Sequence, residues 1–336
     1  MRLGSGQRRS RAGGRDLMST AALIGLDWGT TAFRAYLFAS DGAVLDQAAS
    51  CEGINALQRH GREEFAKALD RLVGRWLTDA MDIPILAAGM VGSRQGWLET
   101  PYVPAPADLR LIPDRLARAP HARARVLIVP GMVDAGPLPS VMRGEETQLV
   151  GVLAEHVWAG ADSSRRLVVL PGTHTKWVSL EGPAVVSIAT TMTGEIYDLL
   201  RSGSILASTM EDADRPYDEV FRAAVHLARD SGVGATSTVF STRSLGLLER
   251  LAPGQQADHL SGLLIGHELL DRERVCGAPE VWTLAGSDEL CRRYQLAAAE
   301  LGWPPAALGA ASAQRGLWRI ATAAELVNRT PAGGLA

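Results

Sequence analysis

Lysine is nearly absent from this chain. Of its 34 basic residues only Lys67 and Lys176 are lysines, and arginine supplies the rest. Cysteine is also scarce. Cys51, Cys276 and Cys291 make no CxxC or other metal spacing, and the seven histidines form no HxxxH pair. This speaks against a zinc site and fits reduced thiols in a cytoplasmic protein. No apolar run approaches the roughly 20 residues that a membrane-spanning helix needs, so no membrane partner is expected. The formal net charge is −3, which leaves no basic footprint for nucleic acid. Residues 1–20 lack the apolar core of a secretory signal. With Gly4, Gly6, Arg8, Arg9, Arg11 and Arg15 they read as a disordered basic tail, and Met18 is an alternative start. Residues 330–336 read as a second disordered tail.

What remains is apolar enough to fold and long enough for two domains of roughly 150 residues. Its most informative feature is a pattern that occurs twice. Leu23 to Asp27 is an apolar run closed by an acid, followed by Trp28-Gly29-Thr30-Thr31 and a second apolar run that carries Arg34. Leu167 to Leu170 is another apolar run, followed by Pro171-Gly172-Thr173-His174-Thr175 and a run led by Lys176. Apolar runs of this length bounded by turn residues read as buried strands. A Gly-Thr tip between two strands offers backbone N–H groups and hydroxyls to phosphate oxygens, because glycine lets the backbone approach closely. Two such tips, one per domain and facing each other, would hold a polyphosphate. Asp27 at a strand end is placed to bind Mg²⁺ beside those phosphates. Lys176 stands out as a retained lysine beside the second tip, where a compact point charge differs from the planar arginine fork. Lys67 reads as a solvated residue on a helix. An ordinary hairpin would look much like either copy, and Arg34 would serve equally as a surface residue or as a contact to phosphate or substrate carboxylate.

The order of elements supports a duplication. Strands are expected at 22–27, 33–39 and 43–49, a helix from Glu63 to Met81, and strands at 83–88 and 126–129. A helix then opens near Gly144, with Leu149, Leu153 and Val157 on one face. Strands at 166–170, 176–180 and 184–190 follow, then helices near 194–201, 216–229, 243–251 and 258–271, a strand at 281–285 and a helix from Asp288 to Leu301. This predicts an α/β protein with a mixed sheet in each half, divided into domains at 21–160 and 161–329.

The duplicated strand and Gly-Thr turn, with Asp-x-Gly-Thr in the first copy, resembles the sugar kinase, Hsp70 and actin superfamily. More specific stretches are Ala87-Ala88-Gly89-Met90-Val91-Gly92-Ser93 with Gln95-Gly96-Trp97, Arg143-Gly144-Glu145-Glu146-Thr147-Gln148, Pro171-Gly172-Thr173-His174-Thr175-Lys176-Trp177-Val178, Met192-Thr193-Gly194-Glu195 and Leu260 to Gly266. These resemble the 2-dehydro-3-deoxygalactonokinase family, in order from about residue 22 to 325. The resemblance implies two ribonuclease-H-like domains around an interdomain ATP cleft. It also implies ATP and Mg²⁺ as cofactors and a small sugar acid as partner, in a cytoplasmic enzyme that could form a homodimer.

Carried over by position, the resemblance makes Glu145 the base that takes the hydroxyl proton, with Glu146 as runner-up. Both glutamates would also be at home simply as first-turn charges on a helix. Arg143 could fork onto a sugar-acid carboxylate. Gly29, Thr30 and Thr31 form the first phosphate turn, and Gly172, Thr173, Thr175 and Lys176 the second. His174 reads as polar lining or as a structural histidine. Gly286-Ser287 resembles the glycine turn that lies against adenosine. Gly92, Ser93 and Trp97 fall where sugar kinases bind substrate, although a tryptophan is as much at home in a core. The implied activity is ATP-dependent phosphorylation of the 6-hydroxyl of 2-dehydro-3-deoxy-D-galactonate in galactonate breakdown. Alternatives are a kinase for another 2-keto-3-deoxy sugar acid, a non-catalytic sugar sensor, and a chaperone-like ATPase of the same fold.

Overall fold

The structure is a computed structural model that describes residues 20–77, 83–158, 160, 162 and 164–327. The two expected tails, apart from Thr20, lie outside the described residues. Two units separate by their contacts. The first holds 20–133, 141–158 and 311–327, and the second holds 134–140 and 160–310.

The first unit opens with β1 (Ala21–Trp28), β2 (Phe33–Ala39) and β3 (Val44–Ser50). β1 and β2 are almost wholly buried, as their unbroken apolar runs require, whereas β3 is partly exposed along an edge. The helix Glu63–Val73 sets Phe65, Ala68, Leu69 and Val73 into the core. It was expected to reach Met81. It ends at Val73, where Gly74 follows as the capping residue, and residues 78–82 lie outside the described set. β4 (Ile85–Ala88) runs parallel to β1. Short strands β5 (Val103–Pro104), β6 (Ala107–Asp108) and β7 (Ala117–Ala119) cross the proline-rich stretch, and β8 (Val126–Ile128) runs parallel to β4. The main sheet order is β3-β2-β1-β4-β8-β7. β9 (Met132–Asp134) and β10 (Ser140–Met142) lead into the helix Glu145–Val152. This helix stops at Leu153, whose extended ψ of 131° breaks the expected run to Val157, and a short helix Glu155–Trp158 follows.

The second unit repeats the scheme. β11 (Arg165–Leu170), β12 (Thr175–Glu181) and β13 (Ala184–Thr191) are antiparallel neighbours. β14 (Trp282–Leu284) is parallel to β11, and β15 (Ala307–Leu308) is parallel to β14. The order β13-β12-β11-β14-β15 matches β3-β2-β1-β4-β8 strand for strand and direction for direction. The duplication is therefore present in topology, as a mixed α/β fold. Helices Asp218–Asp230 and Gln256–Cys276 pack on this sheet, with Phe221, Val225, Ile265 and Leu269 in a core that also holds Trp177 and Trp282. No helix among the described residues is long and apolar enough to cross a membrane.

The domain division at 160/161 needs correction on two counts. Residues 134–140 join the second unit, where Asp134 Oδ2 accepts the Ile188 N–H at 2.9 Å. The chain end also returns to the first unit as the helix Ser312–Ala323, which was not expected at all. It lies against Glu145–Val152 so closely that a Cβ at Gly151 would stand 1.8 Å from the Ser312 carbonyl oxygen. A Cβ at Gly316 would stand 1.8 Å from that of Thr147.

Neither backbone can retreat from such a contact. Gly151→Ala or Gly316→Ala should therefore lower unfolding stability by about 3 kcal/mol or more, at the upper end of overpacking costs. Gly203→Ala is the control. It has open space around it on the helix Thr193–Gly203 and should be neutral or slightly stabilising in the same denaturant titration.

Candidate functional site

In the first unit the turn between β1 and β2 is closed by the Gly29 N–H donating to the Ala32 carbonyl at 2.9 Å. Its base is clamped by Trp28 and Phe33, fully buried and stacked at 3.7 Å with 1° between their planes. Chain 53–55 braces its side, with Ile54 N–H on Gly29 O and Asn55 N–H on Thr30 O. Thr30 and Thr31 stay exposed at the tip. Asp27 and Arg34 are cross-strand partners, and Arg34 Nη1 sits 3.2 Å from Asp27 Oδ2. Burial raises the Asp27 carboxyl above the ordinary range, and Arg34 opposes that rise.

Arg143-Gly144-Glu145-Glu146 opens the helix Glu145–Val152 with both carboxylates folded back on its start. Glu145 Oε2 accepts the Arg143 N–H at 2.9 Å, and Glu146 Oε2 accepts the Gly144 N–H at 2.7 Å. Otherwise the two differ. Glu145 is half-buried, whereas Glu146 is fully buried and its carboxyl is pushed up to about 7, by burial first and by the neighbouring Glu145 charge second.

The Arg143 guanidinium is buried as well. Nη2 donates to the Thr100 carbonyl at 2.9 Å, Nη1 meets the Thr100 hydroxyl, and Cζ lies 4.3 Å from the Tyr102 ring centroid. Arg143 makes no ion pair among the described residues, and its Nε has no hydrogen-bond partner. Ser93 is buried nearby in sequence to Gly92, and its Oγ is also unpartnered. Gly92 touches the arginine directly: a Cβ there would stand 3.0 Å from Nη1. Trp97 does not belong to this group. It is 2 % exposed and edge-on to Trp28 in the main core, so of the two roles open to it in the sequence, substrate contact or core, it takes the packing role.

In the second unit the open tip is shorter than expected. Gly172, Thr173 and His174 reach the surface, while Thr175 and Lys176 are buried on opposite faces of β12. The Thr175 hydroxyl lies 2.9 Å from the Tyr294 hydroxyl. Lys176 Nζ donates to Thr190 Oγ1 at 3.2 Å, and that hydroxyl is 2.5 Å from Ser140 Oγ. These burials correct the expectation that both side chains sit open at the turn. Met192-Thr193-Gly194-Glu195, whose part was not legible in the sequence, is the brace for this tip. A Cβ on Gly194 would stand 2.3 Å from the Gly172 carbonyl oxygen, the Glu195 N–H donates to Thr173 O, and the Glu195 carboxylate lies 2.5 Å from His174 Nε2.

Gly286-Ser287 follows β14 after one residue, Ala285. The Ala285 N–H donates to Val169 O, a Cβ on Gly286 would approach Pro171 O at 3.0 Å, and Ser287 caps the helix Asp288–Glu300 through the Leu290 N–H. Next to Gly172 a cavity of about 140 Å³ opens, lined among others by Tyr197, Leu264, Ile265, Leu290 and Arg293. Leu264 and Ile265 belong to the stretch Leu260 to Gly266 noted in the sequence, but the cavity itself was not legible there, because its lining comes from three separate helices.

A family model described as 2-keto-3-deoxy-galactonokinase matches residues 27–320. The chain belongs to this family. The match begins at Asp27 and takes in both turns, the Arg-Gly-Glu-Glu segment and most of the returning C-terminal helix. The chain is similar to a Rhizobium meliloti (strain 1021) protein assigned as 2-dehydro-3-deoxygalactonokinase DgoK1, at 35% identity over 90% of this chain and 100% of that one. It is also 32% identical to the 2-dehydro-3-deoxygalactonokinase of Escherichia coli (strain K12), over 90% of this chain and 99% of the relative. A crystal structure from Sinorhizobium meliloti, assigned to the same activity, superposes with a TM-score of 0.78 at 33% identity, covering 90% of this chain and 98% of the other.

A kinase family implies a divalent cation. Among the described residues no group of three or more His, Cys, Asp or Glu is placed to cage one. Asp27 offers a single carboxylate, 24% exposed and ending a strand at the open turn. That donor set fits Mg²⁺, which keeps several waters and is usually held by one or two carboxylates together with substrate phosphates.

Glu146 gives the pH test. Its folded value of about 7 lies above the ordinary 4.5. Between those values the folded chain holds a proton that the unfolded chain has released, so stability falls as pH rises. Wild-type protein should lose on the order of 3 kcal/mol relative to Glu146→Gln between pH 4.5 and pH 7.5. Parallel pH profiles of the two proteins in chemical denaturation would sink this assignment.

Proposed function

We propose that the chain is an ATP- and Mg²⁺-dependent kinase that phosphorylates the 6-hydroxyl of 2-dehydro-3-deoxy-D-galactonate, on two ribonuclease-H-like halves. The reading rests on one observation above the rest: a Gly-Thr turn stands at the same place, between the first two strands, in two sheets that share the order and directions of five strands. The relatives named for this activity supply the substrate.

Gly29, Thr30 and Thr31 on one unit, and Gly172 and Thr173 on the other, offer N–H groups and hydroxyls to the phosphates. His174 lies at the second tip and Lys176 behind it. The cavity beside Gly172, with Gly286-Ser287 at the neighbouring strand end, takes the nucleoside. Asp27 would hold the Mg²⁺, which offsets charge on the phosphate oxygens. Glu145 is the base: it is the glutamate of the pair that reaches the surface, while Glu146 is sealed behind it. It takes the hydroxyl proton as the 6-oxygen bonds to the γ-phosphorus. The bond from that phosphorus to the β–γ bridging oxygen breaks, and ADP leaves. Arg143, with Gly92 and Ser93 beside its fork, meets the substrate carboxylate, with Arg34 at the rim of the first turn as a further cation.

A coupled ADP assay over both 2-keto-3-deoxy-hexonate epimers, simple hexonates and neutral hexoses is the direct measurement. Turnover is expected with the galacto acid, ATP and Mg²⁺ together. Folded protein that releases no ADP above background with either epimer would overturn the reading. Asp27→Asn and Glu145→Gln should each lose at least about a hundredfold in kcat with folding intact, the lower bound for losing a general base. An inactive Glu146→Gln beside an active Glu145→Gln would move the base to the buried neighbour.

A further inference from the structure

Beneath the second turn lies a buried polar cluster that no step of the mechanism uses. Glu268 is 5% exposed and sits in the long helix Gln256–Cys276. Its Oε1 accepts the Trp177 indole N–H at 2.6 Å and the Thr191 hydroxyl at 2.7 Å, and its Oε2 accepts the Tyr294 hydroxyl at 2.6 Å. No cation pairs with it among the described residues. The directions of these bonds are constrained. A carboxylate that meets three donors only accepts, so the single Tyr294 proton is committed to Glu268. Burial and the adjacent Glu268 push the Tyr294 hydroxyl well up, so that proton stays on the oxygen. The 2.9 Å contact between Thr175 and Tyr294 must then be Thr175 donating. The chain of donors runs one way, from Thr175 to Tyr294 to Glu268.

The ends of this chain are informative. Thr175 is the first residue of β12, directly after the exposed tip, and Thr191 is the last residue of β13. The two are register partners. Two residues after Thr191 begins the helix whose Gly194 and Glu195 press on Gly172 and Thr173. Tyr294 in turn lines the cavity beside Gly172. One carboxylate thus holds the start of β12 through Tyr294 and the end of the neighbouring β13 directly, together with a wall of the adjoining cavity.

We infer that Glu268 is a positioning residue for the nucleotide, holding the Gly172-Thr173 tip and the cavity wall at Tyr294 in one fixed relation through Thr175 and Thr191. The inference rests on the kinase reading of this site. Glu268 does not touch the nucleotide itself. A preorganised anion site needs its N–H groups aimed before the ligand arrives, and supporting hydrogen bonds of this kind do the aiming.

The test is ATP binding by titration calorimetry, with steady-state kinetics, on the full chain carrying Glu268→Gln or Tyr294→Phe. Glu268→Gln keeps the volume but turns one acceptor into a donor, so one of the three partners meets a donor instead. The dissociation constant and KM for ATP should rise about tenfold or more, as loss of one hydrogen bond to a charged group implies, while KM for the sugar acid stays within about twofold. Tyr294→Phe should show the same split to a smaller degree. It removes one oxygen from a packed ring, so it carries the test if Glu268→Gln does not fold. A lowered Tm with unchanged ATP affinity in the folded variants would make the cluster merely structural and overturn the inference. Equal losses for ATP and sugar acid would overturn it as well. Wild-type protein that binds no ATP would instead overturn the kinase reading, and this inference with it.

Discussion

Two helices touch backbone to backbone at Gly151 and Gly316, and the segment that begins with Glu145 depends on that contact. The helix Glu145–Val152 is only eight residues long. In isolation such a helix is marginal, because the cost of its first turn is spread over too few bonds. Here it is held on its face by the returning helix Ser312–Ala323 and at both ends by charge. Glu145 and Glu146 satisfy N–H groups at its start. Arg319, carried by the returning helix, donates to Val150 O and Leu153 O at its end. Acids at the positive pole and a cation at the negative pole are the arrangement that a helix dipole favours. A bulkier residue at either glycine would push the helices apart and loosen all of these contacts together.

Three sequestered carboxylates show how surroundings divide the labour of one functional group. Asp27 faces Arg34 at an open turn and keeps partial access to solvent. Glu146 is closed off beside a second acid, and its carboxyl is pushed up to about 7. Glu268 is as deeply buried as a core leucine but is met by three donors. Desolvation acts on any such group, and the outcome turns on what faces it. Asp27 faces an exposed cation, Glu146 a neighbouring acid and Glu268 three neutral donors, so the same group meets three different surroundings.

The parts legible in the sequence were those written locally. β1, β2, β11 and β12 follow from unbroken apolar runs, and both tips follow from Gly-Thr at a strand end, so the duplication could be read from its first strands. The parts that were not legible depend on distant partners. The helix Ser312–Ala323 has an apolar stripe, but its return to the first unit is decided by two glycines more than a hundred residues apart in sequence. Thr175 and Lys176 looked alike as turn residues. Strand alternation sends them to opposite faces, and only the assembled fold reveals that Tyr294 on a packed helix awaits one and Thr190 on the neighbouring strand the other. Trp97 beside a glycine-rich motif could be read as a substrate contact or as core, and its place against Trp28 is a property of the assembled core. The cavity beside Gly172 draws on residues from three helices, and no periodicity within any one of them marks it.

The scarcity of lysine takes on a sharper meaning once burial is known. Lys67 lies out on its helix beside Glu64, as a solvated residue should, while Lys176 is 6% exposed. Arginine could replace lysine on the surface at little cost, but its wider fork would not fit a site closed around Thr190. Arg143 presents the opposite case. It is a buried arginine with no anion facing it among the described residues, and its Nε is unpartnered. A buried charge left uncompensated is strongly destabilising, so such a site gains from a ligand that brings the missing charge. A sugar acid brings it and a neutral sugar does not. On the proposed kinase reading, discrimination would come less from extra contacts to the acid than from the penalty of leaving the guanidinium unpaired with anything else.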